Sequence, residues 1–123
     1  MKQDNSHCLL LVGSLSGVVI IVGYRHPNFP RGAFLELLGK KITENNDKRL
    51  LVFGDMNFDL RSDSNRTILD FFKKYKLTPV LDITTATTEF GTHLDLCFGN
   101  ISTARASVYE TYYSYHKALS IEW

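Results

Sequence analysis

Three short polar clusters carry the residue types that chemistry needs, each beside an apolar run. Gly54-Asp55-Met56-Asn57 follows Leu50 to Phe53. A carboxylate and an amide two positions apart at a strand end can converge on one phosphate, metal ion or water. The amide holds a water by donating and accepting, and the carboxylate removes its proton. The same four residues also suit an Asx-turn that closes a strand, with Asp59 adding solubility. In Gly91-Thr92-His93-Leu94-Asp95, strand alternation puts His93 and Asp95 on one side, opposite Leu94 and Leu96. A carboxylate in a run that ends Leu-Cys-Phe is partly buried and needs a partner: a threonine, a backbone amide or a catalytic histidine. The third cluster, Ser114-Tyr115-His116, lies between two strand-like runs. A single loop histidine is ordinarily a surface residue.

Other chemistries lack their signatures. The sequence has no CxxC, HExxH, Walker loop or GxSxG, which argues against zinc sites, zinc proteases, NTPases and esterases. His7, His26, His93 and His116 have no metal-ligand spacing. Fourteen basic and thirteen acidic residues leave a net charge of +1, so charge marks neither a nucleic-acid coat nor a membrane-surface protein. Cys8 and Cys97, each within an apolar run, read as buried free thiols of a reducing compartment, with a single disulfide as the alternative. The apolar stretch from Cys8 to Val22 is shorter than the roughly 18–20 residues that span a bilayer. Gly13, Ser14, Ser16 and Gly17 interrupt it, and Asp4 offsets Lys2, so two strands and a turn fit better than a signal sequence.

The elements that must position these clusters follow from periodicity. His7 to Val12 and Val18 to Gly23 are continuous apolar runs, predicted as strands buried on both faces around a Gly13–Gly17 turn. Tyr24 to Gly32 is predicted as a loop. Phe34, Leu37, Leu38 and Ile42 have helical spacing from Ala33 onward. Leu50 to Phe53 is a strand. A second helix carries Ile68, Leu69, Phe71, Phe72 and Tyr75, with N-cap candidates at Asp63 to Asn65, solvated Lys73, Lys74 and Lys76 at its end, and Pro79 as its stop. Val80 to Ile83, Leu94 to Phe98, Ala106 to Tyr112 and Ala118 to Trp123 complete the strands, with a Thr-rich linker from Thr84 to Gly91. The order β-β-α-β-α-β-β-β-β describes one domain over residues 1–123: a layered α/β (α+β) fold with a mixed sheet, not a doubly wound parallel one.

The ordered set of Tyr24 in IVGYRHP, then LLVFGDMNFD (50–59), TEFGTHLDLCFG (88–99) and YYSYHKAL (112–119) resembles the later half of the endonuclease/exonuclease/phosphatase superfamily. In wording and spacing it is most similar to members carried by mobile genetic elements. The resemblance implies part of a four-layer α/β/β/α sandwich and a Mg²⁺- or Mn²⁺-dependent phosphodiester hydrolase acting on DNA or RNA. It implies Asp55 as the residue that orients or deprotonates the attacking water, and Asn57 as the amide that helps hold it. His116 would stabilise charge on the phosphorus-bound oxygens, Asp95 would orient His116, and Tyr24 would touch the phosphate. The family's Ser-Asp-His reads Ser114-Tyr115-His116 here, so Tyr115 stands where a metal-associated aspartate is expected. A phenol with pKa near 10 is a poor magnesium ligand. The family's preceding half-domain, with its metal-binding glutamate, has no counterpart ahead of Tyr24. A half-sandwich is therefore expected, with an inner sheet face (Val18 to Val22, Leu50 to Phe53, Leu94 to Phe98) partly uncovered for a missing half or a partner chain. Two other readings share the fold: a non-catalytic nucleic-acid or protein binding module, and a phosphatase of inositol or lipid phosphates. No targeting or membrane segment is predicted. An intracellular location follows, and a nuclear one only from the resemblance.

Overall fold

The computed structural model of the chain describes residues 7–59, 66–81, 87–88, 95–109 and 118–123. Their order is β1 (Cys8–Leu15), β2 (Val18–Arg25), α1 (Arg31–Glu44), β3 (Leu50–Asp55), α2 (Arg66–Lys74), β4 (Thr78–Pro79), β5 (Asp95–Gly99), β6 (Arg105–Tyr109) and β7 (Ala118–Glu122). This is the expected order of strands and helices. The first five strands form one mixed sheet, β1-β2-β3-β5-β4, and β6 and β7 pair as a separate two-stranded sheet. Among the described strands only β2 and β3 run parallel, joined through α1, and the other pairs are antiparallel.

Strand alternation divides the sheet into two faces. Val19, Ile21, Leu50, Val52, Leu96 and Phe98 face the helices and pack with Phe34, Leu38 and Ile42 of α1 and Ile68 and Phe72 of α2. The Phe72 ring stacks on Phe98, 3.9 Å between centroids and 7° from parallel, and ties α2 to β5. On the opposite face Val18, Leu51 and Ile101 form a second, smaller cluster with Ile20, Val80, Ala104 and Ile121 of β7. The described residues thus make three layers: helices, the five-stranded sheet, and the β6–β7 pair.

Several sequence expectations change. The β1–β2 turn is the two-residue Ser16-Gly17, both at positive φ (51° and 77°), so β1 runs on to Leu15. Two left-handed residues match the twist of a hairpin, and Gly17 takes that backbone without strain. β1 is also not buried on both faces: among the described strands it lies at the sheet edge, and Leu9, Leu11, Val12 and Leu15 are about half exposed. The face expected to lie partly uncovered is closed at one end, while Ile20, Val22 and Phe53 on it stay half-buried. Val18, Leu51 and Cys97 are buried, because the β6–β7 pair and the 101–104 turn pack over one end of it. Tyr24 and Arg25 end β2, and Arg31 and Gly32 open α1, so the loop between them shrinks to 26–30.

Pro79 is not what stops α2. Lys76 takes a left-handed φ of 60°, Leu77 N–H donates to Phe72 O at 3.0 Å and Lys76 N–H to Lys73 O at 2.9 Å. That is a Schellman ending, with buried Leu77 folded back on Phe72. Pro79 lies within β4, and the expected Val80–Ile83 strand is displaced to Thr78–Pro79, with residues 82–83 outside the described set. The N-cap candidates Asp63 to Asn65 also fall outside it.

Gly54 has φ of 143°, and a Cβ there would collide with the Gly23 carbonyl oxygen on β2. Gly54→Ala should therefore destabilise the chain by at least about 3 kcal/mol, or prevent folding, as measured by urea unfolding. An uncharged eight-residue edge strand favours edge-to-edge pairing between copies. Leu11→Lys is expected to lower light scattering at high concentration while changing unfolding stability by no more than about 0.5 kcal/mol.

Candidate functional site

The sheet register brings the sequence-predicted carboxylates together. In the β3–β5 ladder Asp55 lies directly opposite Asp95, and the pair occupies the face that also carries Leu51 and Phe53. Asp55 is the last residue of β3 and Asp95 the first of β5, so both stand at one edge of the packed region. Tyr24 belongs to the same row: β2 and β3 run parallel with Val22 beside Phe53, and two residues on along each strand come Tyr24 and Asp55. One transverse row of the sheet, on the side away from the helices, thus carries Tyr24, Asp55 and Asp95.

Each member is held by packing on the opposite side. Gly54 and Leu96 are partners in the register and face the helices, where Leu96 is fully buried. The Asp95 backbone N–H donates to Thr87 Oγ1 at 3.1 Å, and Thr87 is itself buried. This bond fixes the backbone at Asp95. The Asp55 Oδ1 atom is buried. A carboxylate directly across a ladder from another is an unfavourable pairing unless positive charge or donors stand near.

Positive charge comes from Arg25, which sequence analysis passed over as a loop residue. It is 2% exposed. Its Nε donates to Met56 O at 2.8 Å, Nη2 to Asn57 O at 2.8 Å and Nη1 to Phe29 O at 2.7 Å. The same Nη1 reaches Pro27 O at 3.3 Å and His26 O at 3.4 Å. The guanidinium carbon sits 4.4 Å from the centre of the Phe58 ring. Burial lowers the Arg25 pKa from its ordinary value and the nearby Arg31 adds to this, while Asp55 acts in the opposite sense. Asp55 therefore lies within the electrostatic reach of Arg25. The phase of β2 offered a signal: Val19 and Ile21 face the helices, so Arg25 must too, and a charge there needs several acceptors.

Asn57 stands in a left-handed backbone, φ 55°, which asparagine tolerates better than most residues. Its Nδ2 donates to Arg25 O at 2.6 Å. Met56 and Phe58, on either side of it, are fully buried against the helix-side core, so the 55–58 segment is pinned through alternate residues. At the rim, the His7 ring lies 5.3 Å from Tyr24 and 5.7 Å from His26, giving Tyr24 an aromatic border.

Asp55, Asn57, Tyr24 and Asp95 are placed by the structure. His116, Tyr115, Ser114 and His93 lie outside the described residues. Among the described residues no three His, Cys, Asp or Glu side chains are grouped to hold a metal ion, and no helix is long and apolar enough to cross a membrane.

No family model matches the sequence, and no curated protein matches it. Among solved structures, the endonuclease domain of TRAS1, a telomere-specific non-LTR retrotransposon, superposes with a TM-score of 0.72 over 93% of this chain, at 16% identity. The two share a fold. The chain spans 60% of the length of that endonuclease domain chain. The resemblance seen in the motifs and the similarity of the backbones thus point to one architecture: a mixed sheet with helices on one side, as in an endonuclease domain from a mobile element.

Both cysteines are free thiols, Cys97 buried and Cys8 half-buried. Burial pushes the Cys97 pKa up from 9.0 to about 12. The folded chain therefore keeps a proton that the unfolded chain releases above pH 9. This contribution to stability is complete below about pH 9 and declines by up to about 1.4 kcal/mol per pH unit as pH rises toward 12. Cys97→Ala should remove that slope, so the difference between the two proteins' unfolding free energies is expected to narrow above pH 9 and stay constant below it.

Proposed function

We propose that the chain is a phosphodiester hydrolase-like domain of the endonuclease type, which cleaves a nucleic-acid backbone with an activated water. The observation that carries this reading is the Asp55–Asp95 pair, directly opposed across β3 and β5 with Tyr24 in the same row and Asn57 two residues beyond. In this reading Asp55 orients and deprotonates the water, and Asn57 helps hold it. Tyr24 contacts a phosphate oxygen. Asp95 orients His116, which stabilises charge on the phosphorus-bound oxygens.

The donor set suits a hard divalent cation. Mg²⁺ prefers oxygen ligands and is commonly held by one or two carboxylates, with waters and substrate phosphate completing its shell. Asp55 and Asp95 are the carboxylates that would hold it. Bound there, such an ion would supply Lewis-acid charge stabilisation to the phosphoryl oxygens. The fold shared with a retrotransposon endonuclease domain supports nucleic acid as the substrate.

The test has two parts. Millimolar Mg²⁺ or Mn²⁺ should raise the melting temperature of the chain, because a ligand bound to the native state stabilises it, and Asp55→Asn should abolish that rise. Supercoiled plasmid should be nicked in the same buffers. Asp55→Ala and His116→Ala should each lower the rate by about 10²–10⁴-fold, the usual worth of a general base or charge stabiliser. Nicking that survives both substitutions would refute the assignment. Tight nucleic-acid binding without nicking would identify a binding module, and competition by an inositol phosphate but not by DNA would identify a phosphatase.

A further inference from the structure

We propose that Arg25 is a positioning residue whose two-way clamp on Asn57 decides which atoms of that side chain face a ligand. The inference deepens the nuclease reading and rests on it for its kinetic consequences, while the clamp itself is a matter of geometry. The clamp closes from both directions. The guanidinium binds the carbonyls of Met56 and Asn57, and the Asn57 side chain returns a bond to the Arg25 carbonyl.

The direction of the returning bond follows from chemistry. A carbonyl oxygen only accepts, so the Asn57 atom 2.6 Å from it must be the amide nitrogen. Oδ1 then points away from Arg25 O, and one amide proton is committed. What Asn57 can offer a water or a cation is therefore led by an acceptor oxygen. Lysine could not replace arginine here. Carbonyls from residues on both sides of the guanidinium, Phe29 on one and Met56 and Asn57 on the other, are met by nitrogens in one rigid plane. An ammonium is a compact charge that cannot reproduce that spread of directions. The Phe58 ring beneath the guanidinium fixes the remaining freedom. Without the fork, the left-handed backbone at Asn57 loses two of its anchors, and Asp55, two residues earlier, loses a cation whose field it shares.

Arg25→Lys tests this in the full chain, because lysine keeps the charge and most of the apolar stem. A cooperative thermal transition establishes that it folds. In ¹⁵N-resolved NMR spectra, the wild-type Asn57 side-chain amide should show widely separated protons, one exchanging slowly with solvent. In Arg25→Lys the two should converge on the position of solvated asparagines, with exchange at least about tenfold faster. On a nicked-plasmid assay with Mg²⁺, kcat should fall about a hundredfold with little change in KM, the usual effect of a misplaced group. A folded Arg25→Lys chain with an unchanged Asn57 amide, or with wild-type kcat, overturns the proposal. Should Arg25→Lys not fold, Asn57→Gly keeps the left-handed backbone and deletes the side-chain amide, donor and acceptor together. The Arg25 Nε proton, held by Met56 O, should then exchange at least about tenfold faster, and an unchanged exchange rate overturns the clamp whatever happens to kcat. If the wild-type chain nicks no DNA, the nuclease reading falls, and the amide signal still decides the clamp.

Discussion

The whole candidate site depends on a close approach between two glycines. Gly54 meets Gly23 where β2 and β3 end side by side, with no room for a side chain on Gly54. Because the contact is backbone against backbone, the β3 chain can bend at φ 143° and deliver Asp55 to the sheet face while Met56 returns to the core. The alternation of Asp55 outward, Met56 inward, Asn57 outward and Phe58 inward follows from that one bend. Arg25 then fastens the bent segment to the end of β2, using carbonyls that the end of a strand leaves free.

Two cores of unequal size support this arrangement. The larger one, between helices and sheet, holds the big aromatic side chains and fixes the register of β3 against β5. The smaller one lies at the far end of the opposite face and leaves the Tyr24–Asp55–Asp95 row outside it. Polar chemistry is thus placed beyond the edge of dense packing, but on strands whose other face is fully packed. Side chains there are half-buried, on strands whose register is fixed from the packed side.

Much of the architecture was legible in the sequence. Helices and strands appeared in the right order because Phe34, Leu38 and Ile42, or Ile68 and Phe72, repeat at a period that only a helix can bury. The carboxylates could be ranked as candidates because Asp55 and Asp95 each interrupt an apolar run. What the sequence did not show was partnership. Nothing in a linear reading pairs residue 55 with residue 95, since register is set by packing across strands. The exposure of β1 was missed for a related reason: an apolar run looks alike at a sheet centre and at a sheet edge. Arg25 was missed because YRHPNFPRG reads as a proline-rich loop, although the β2 alternation, carried two residues further, would have aimed it at the core. Lys76 ended α2 in a left-handed turn that no glycine advertised.

The order of the row in space is not its order of assembly. Tyr24, Asp55 and Asp95 come from strands separated by about thirty and forty residues of chain, and they become neighbours only when β3 has docked on both sides. The β1–β2 hairpin, by contrast, closes through a two-residue turn and can form early. Loop-closure entropy makes the long-range docking the slow part of folding. A partly folded chain, with its hairpin and helices in place, would therefore carry every one of these side chains and still lack the constellation. The row therefore exists only in the fully docked sheet, since no one of its three strands brings two of its members together.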